Sequence, residues 1–268
     1  MHRICKLVLL VTLFFSTLAT AQERTTYRGD TSLYPGIRAK IVLYTDSIRK
    51  NSNSSELLFR RASLHYDVED WMSADKDLTS AIRLDSNAYM YFYKRAAVRD
   101  RLRLGREAYT DFTKSISLNP KFEWAYLDRG ILLGNSRYFK EAETDFRRAL
   151  VLKPNWGAAL FCLGTNHQDQ DQIDSALYYF QQAVLYDNKQ YKAYNNIGVI
   201  YKQQKKFDLA IEQFSKALEI WDGYTYALTN RAEAKYYQGD KAGACADLKK
   251  AISLGRTDKM AAYKQLCE

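Results

Sequence analysis

Few side chains in this sequence are suited to acid, base, nucleophilic or metal chemistry: His2, His65 and His167, with Cys5, Cys162, Cys245 and Cys267. Catalysis needs such groups to converge in one pocket, and His65 and His167 stand far apart along the chain. Cys162 and His167 are five residues apart, a spacing that does not share a helix face well, so no zinc site is expected there and His167 reads as a packing residue near a turn. The chain holds no H-E-x-x-H, no G-x-x-x-x-G-K-[ST], no G-x-G-x-x-G and no G-x-S-x-G. The expectation is a protein that is not an enzyme, with no cofactor and no metal.

What the sequence does contain is repetition. An offset of 34 residues aligns the small residues Ala62, Ala96, Gly130, Gly164, Gly198 and Ala232 without a slip. Twelve residues on come Ala74, Ala108, Ala142, Ala176, Ala210 and Ala244, and four beyond those Leu78, Phe112, Phe146, Phe180, Phe214 and Leu248. Three further on stand Ala81, Ser115, Ala149, Ala183, Ala217 and Ala251. Offsets of four and three place the last three columns on one helical stripe, and the first column belongs to a preceding helix that packs closely against it. Each unit is therefore expected to be a helical hairpin, ended by Asn119-Pro120, Lys153-Pro154, Asp187-Asn188 or Gly255-Arg256.

In period, small-residue spacing, phenylalanine position and terminal proline these columns resemble the tetratricopeptide repeat family, over about three quarters of the chain. The resemblance implies an all-α fold, a right-handed α–α superhelix of six hairpins at 55–88, 89–122, 123–156, 157–190, 191–224 and 225–258. It departs from the family pattern at Gly105, off the usual turn position, and before Ser86 and Asp222, where the closing proline is missing. An array of this kind exposes apolar ends. Lys40, Tyr44, Ser47 and Ile48 are in phase with the second-helix columns, so a capping helix is expected over about 36–50 within the segment 22–54, and another over 259–268.

Comparing the units with one another exposes a charge pair. Arg61, Arg95, Arg129 and Arg231 share a first-helix slot, and sixteen residues later the same units carry Asp77, Asp111, Asp145 and Asp247. The other two units carry Leu163 with Tyr179 and Ile197 with Gln213, so charge occupies both slots or neither. A structural salt bridge inside each hairpin is expected, because a partly buried arginine needs a carboxylate neighbour.

The amino terminus reads as an export signal: His2, Arg3 and Lys6, the apolar run Leu7–Phe15, then Ala19-Thr20-Ala21 before Gln22. Cleavage after residue 21 would remove Arg3 and Lys6 and take the formal charge from +9 to +7. The expectation is a periplasmic or extracellular protein with no membrane span in the mature chain. Nucleic acid is not an expected partner, while the positive balance would suit an anionic envelope surface. Export would permit a disulfide between Cys245, on the last second helix, and Cys267, on the terminal cap, stapling the open end. The ending from Gly239 to Cys267 also looks like the closing unit of exported bacterial repeat proteins; the alternative is two unpaired thiols.

In similar arrays the first helix of each unit lines a concave face that receives peptides. Here that face would present Phe59, Tyr66, Met90, Tyr93, Trp124, Leu127 and Phe161, then the more polar Lys192, Asn195, Asn196, Lys202, Tyr226, Asn230, Tyr236 and Tyr237. Many of the rings would alternatively just pack between hairpins. The two-lysine, two-asparagine, one-arginine clamp by which some family members hold chaperone carboxyl termini is not reproduced, since Phe161, Thr165, Tyr226 and Asn230 stand where most of its groups would be. The resemblance thus implies a scaffold that binds a protein or peptide partner in the cell envelope; recognition of an envelope polysaccharide by the tyrosine- and asparagine-rich carboxyl half is the other reading.

Overall fold

The computed structural model describes residues 35–268; the expected leader, 1–21, and the stretch 22–34 lie outside the described residues. The chain divides into two compact units, one ending at Leu118 and the other running Asn119–Glu268. In the first, α1 (Pro35–Lys50) precedes the hairpins α2 (Ser55–Asp67) with α3 (Trp71–Leu84) and α4 (Tyr89–Arg101) with α5 (Gly105–Leu118). The second holds α6 (Glu123–Asn135) with α7 (Phe139–Leu152), α8 (Gly157–Gln168) with α9 (Ile173–Tyr186), α10 (Tyr191–Gln203) with α11 (Phe207–Ile220), and α12 (Thr225–Gln238) with α13 (Lys241–Ser253). A 3₁₀ turn (Thr257–Lys259) then leads into α14 (Met260–Cys267). The described residues contain no strand.

The small-residue columns set how closely the paired helices approach. A β-carbon at Gly164 would lie 2.5 Å from the Phe180 ring, and one at Gly198 would lie 2.6 Å from Phe214. Both rings are fully buried, so only hydrogen fits beneath them. In α4–α5 the same slots hold Ala96 and Phe112, again both buried. These contacts repeat every 34 residues, with Leu78 and Leu248 in place of the ring in the first and last hairpins, and form the core of each hairpin.

The turns inside the hairpins are also alike, by a device that the sequence conceals. Glu69, Arg103, Arg137, Asp171 and Lys205 all have positive φ, between 57° and 65°, at one position of the repeat, which in the last hairpin is taken by Gly239 at φ 96°. The amide after each donates to the carbonyl five residues earlier: Asp70 to His65, Leu104 to Arg99, Tyr138 to Leu133, Gln172 to His167, Lys206 to Tyr201 and Asp240 to Lys235, at 2.9–3.0 Å. This is the Schellman closure of a helix end, and its hydrogen bonds outweigh the roughly 1–2 kcal/mol cost of left-handed geometry for a residue with a side chain. Gly105, which the sequence placed off the usual turn position, opens α5.

The arginine and aspartate columns meet in bidentate pairs. Arg61 Nε and Nη2 lie 2.7 Å from the two Asp77 oxygens. Arg95 with Asp111 and Arg129 with Asp145 are both at 2.8 Å, and Arg231 with Asp247 at 2.8 and 2.7 Å. The remaining guanidinium nitrogen reaches backwards: Arg61 Nη1 to Thr45 on α1, Arg95 Nη1 to Thr79 and Arg231 Nη1 to Ser215, at 3.0–3.2 Å. One arginine thus bonds its own hairpin together and ties it to the second helix before it. A second cation joins two of the pairs, with Arg99 2.8 Å from Asp111 and Lys235 2.9 Å from Asp247.

These aspartates are buried, so removing one leaves cations without a counter-charge in a desolvated site. Asp111→Ala leaves Arg95 without its carboxylate, while Arg99 keeps Asp75 at 2.8 Å, and is expected to destabilise the protein by about 3 kcal/mol in urea unfolding. Asp222→Ala, at the exposed Lys250 pair, should stay within about 0.5 kcal/mol of wild type in the same measurement.

Candidate functional site

The first helices supply the candidate ligand face, and the structure divides its expected residues into those that are covered and those that are open. In the first unit, Phe59 packs on Tyr91 with ring centroids 4.9 Å apart, Tyr66 on Trp71 at 4.9 Å and Tyr93 on Phe112 at 5.9 Å. Those three and Met90 remain half-buried; Phe59 joins neighbouring hairpins, whereas Tyr66 and Tyr93 pack on the second helix of their own hairpin. In the second unit Trp124 is 41% exposed, with Trp156 at 4.6 Å and the Lys153 ammonium above both indoles. Phe161 is half-buried against Phe180.

Two residues are corrections to the expected lining. Leu127 is core at 3% exposure, because a leucine at this position can be fully covered whereas the larger rings of Phe59, Tyr93 and Phe161 cannot. Asn195 is also buried and acts through its neighbours instead of touching solvent.

Those neighbours form a continuous polar row over α8, α10 and α12. Asn196 Nδ2 donates to Gln168 Oε1 at 3.4 Å and Asn195 Nδ2 to Asn196 Oδ1 at 3.3 Å. Asn230 Nδ2 donates to Asn195 Oδ1 at 3.2 Å, and Lys202 Nζ donates to Asn230 Oδ1 at 3.1 Å and to Glu233 Oε2 at 2.6 Å. Lys202 was expected on this face, whereas Gln168 and Glu233 were not. The signal for Gln168 was periodicity, since it shares one repeat position with Lys202, as Asn196 does with Asn230; Glu233 had no such signal. A carboxamide offers two donor hydrogens and an acceptor oxygen, so the row can present both kinds of group to an extended backbone. Lys192 lies beside it with its ammonium 5.9 Å from the Tyr191 ring. At the far end Tyr226 is backed by Arg256, whose guanidinium carbon is 5.0 Å from the ring. The same guanidinium hydrogen-bonds Asp258 at 2.8 and 3.0 Å and holds that carboxyl down at about 2.

The histidines do not converge on this face. His65 and His167 occupy one repeat position, and each directs Nδ1 at the side chain that opens its second helix: Asp70 at 3.1 Å and Gln172 at 2.5 Å. His167 also stacks on Tyr179 at 5.2 Å, so both rings brace turns. Among the described residues no cluster of three or more His, Cys, Asp or Glu could hold a metal ion, and no helix is long and apolar enough to cross a membrane.

Residues 191–224 match the family model of the tetratricopeptide repeat, the unit made by α10 and α11. The other hairpins repeat its columns at the same period. The chain is a tetratricopeptide-repeat protein. No curated protein matches its sequence. Among solved structures it is similar to a tetratricopeptide repeat protein from Parabacteroides merdae, with a TM-score of 0.67 and 20% identity over 86% of this chain and 90% of that one. It is also similar to a chain of the APC/C hetero-tetramer Cut9–Hcn1, with a TM-score of 0.71 and 16% identity, covering 87% of this chain but 46% of that one. A third is YrrB, described as having an unusual peptide-binding site, with a TM-score of 0.53 and 23% identity over 72% of this chain and 99% of that one. At these identities the likeness is one of fold.

Cys245 and Cys267 are disulfide-bonded with Cα atoms 5.7 Å apart, joining α13 to α14. The join holds Tyr263 and Leu266 of α14 against buried Ala232, Ala244 and Leu248. Cys162 is unpaired, and burial, with the Asp128 carboxylate adding to it, pushes its thiol up to about 12. Thiolate is the reactive form, so alkylation at pH 8 should spare Cys162 in the native protein and label it after denaturation. Peptide mapping by mass spectrometry should show Cys245 and Cys267 labelled only once a reductant is added.

Proposed function

We propose that this tetratricopeptide-repeat protein is a non-catalytic scaffold that binds a protein or peptide segment on its first-helix face, and that it works in the cell envelope after export. The observation that carries the reading is the polar row from Gln168 through Asn196, Asn195, Asn230 and Lys202 to Glu233, lying near half-buried aromatic rings. Carboxamides that alternate donor and acceptor match the alternation of N–H and C=O along an extended chain. Rings with one open edge supply apolar anchor points. YrrB, a protein of the same fold, is described as binding peptide, which is compatible with this use of the first helices. Export is supported by the leader-like residues 1–21 and by the Cys245–Cys267 bond, since disulfides persist in oxidising compartments.

A library of displayed peptides should yield binders whose capture falls at least tenfold in Asn196→Ala plus Asn230→Ala. Trp124→Ala plus Phe161→Ala should lower capture as well, and Lys249→Ala on the outer side of α13 should leave it unchanged. Failure to select any peptide, combined with retention of a soluble anionic glycan that is lost at high salt, would move the assignment to polysaccharide recognition.

A further inference from the structure

The second helices carry a different surface, and α9 stands apart from its counterparts. Along its exposed stripe run Asp174, Tyr178, Gln181 and Leu185, spaced four, three and four residues apart, with Ser175 and Tyr186 beside them. No charged residue occurs between Asp174 and the helix end. Tyr178 is 56% exposed, Leu185 67% and Tyr186 48%. Each other second helix among the described hairpins has an exposed charge beyond its middle: Arg83 in α3, Lys114 in α5, Arg147 and Arg148 in α7, Glu219 in α11, Lys249 in α13. An uncharged, outward aromatic and aliphatic stripe of this kind marks an interaction surface.

The flanks of the stripe specify what covers it. On one side α7, joined to α9 by the Arg147–Tyr179 hydrogen bond, carries Lys140, Arg147 and Arg148 against Glu141 and the partly covered Glu143, which pairs with Arg147 at 2.7 Å, so it keeps a net positive charge. On the other, one repeat step further, α11 presents Asp208, Glu212 and Glu219 against Lys216. The surface therefore reads basic, uncharged, acidic from α7 to α11. A two-fold axis parallel to α9 sets α9 against α9 and brings the basic flank of each copy over the acidic flank of the other. A two-fold axis across α9 would set α7 on α7 and oppose like charges.

We propose that this face is the interface of a homodimer, with α9 of one copy packed on α9 of the second and the α7 and α11 flanks paired across it. Three helices about 21 Å long present on the order of 600 Å² in projection, which suits a reversible association of micromolar strength and not an obligate dimer. This interface lies on the second helices and does not rest on the peptide-binding reading of the first.

Sedimentation equilibrium of the purified protein between about 1 and about 100 µM should show its mass rising towards twice that of the monomer. Leu185→Lys should weaken association at least tenfold while leaving the thermal unfolding midpoint unchanged, because Leu185 is exposed in the monomer. Inverting one flank, by Lys140→Glu with Arg148→Glu or by Glu212→Lys with Glu219→Lys, should leave each variant monomeric. An equimolar mixture of those two variants should dimerise again, since each inverted flank then meets its complement. A wild-type protein that stays monomeric throughout would overturn the proposal; so would a dimer indifferent to Leu185→Lys or to single-flank inversion.

Discussion

A two-helix unit of this length buries too little to be stable by itself, so everything in the protein depends on how tightly its helices approach one another. The approach is set where a ring or leucine of the second helix lies over a glycine or alanine of the first. Beneath Phe180 and Phe214 that clearance leaves no room for a β-carbon. Small residues elsewhere in the second helix let the following hairpin close on the same stripe, and the arginine pairs then join helices already brought within reach. Removal of the small-residue column would separate the hairpin partners and take the bidentate geometry with it.

The hairpins are built on two internal schemes. Four carry the buried arginine–aspartate pair, which is directional and holds register through fixed hydrogen-bond geometry. In α8–α9 and α10–α11 the slots carry Leu163 with Tyr179 and Ile197 with Gln213, and the buried Leu160, Phe180, Ile197 and Ile200 form a continuous apolar cluster there. Those same hairpins bear the Gln168, Asn196 and Asn195 end of the polar row and the uncharged face of α9. Where the interior does not use charge, the first helices present hydrogen-bonding groups and α9 presents an uncharged outer stripe.

Much of the fold was legible because a repeat compares itself with itself. The period, the small-residue columns and the coupled presence of Arg61, Arg95, Arg129 and Arg231 with their aspartates are all visible as letters at a constant spacing. The turn closure was not, since its left-handed residue is Glu69, Arg103, Arg137, Asp171 or Lys205, types that carry no turn signal; the hydrogen bond that justifies the strain belongs to the backbone. The expected binding face was legible by helix phase alone, which is why it gathered Leu127 and Asn195 together with residues that do reach solvent.

The amino-acid sequence by itself determined the helical hairpins, their number between residues 55 and 258, the pairing of arginine with aspartate, and the absence of any recognisable catalytic motif. Each is a consequence of spacing along one chain, where helix geometry converts sequence offset directly into shared faces. Only the tertiary structure decided which first-helix side chains stay open, that Lys202 and Glu233 complete the row begun by Asn196, and that the basic and acidic flanks border an uncharged α9. Burial and surface adjacency depend on the rotation and packing of neighbouring hairpins, distances in space that no repeat period encodes.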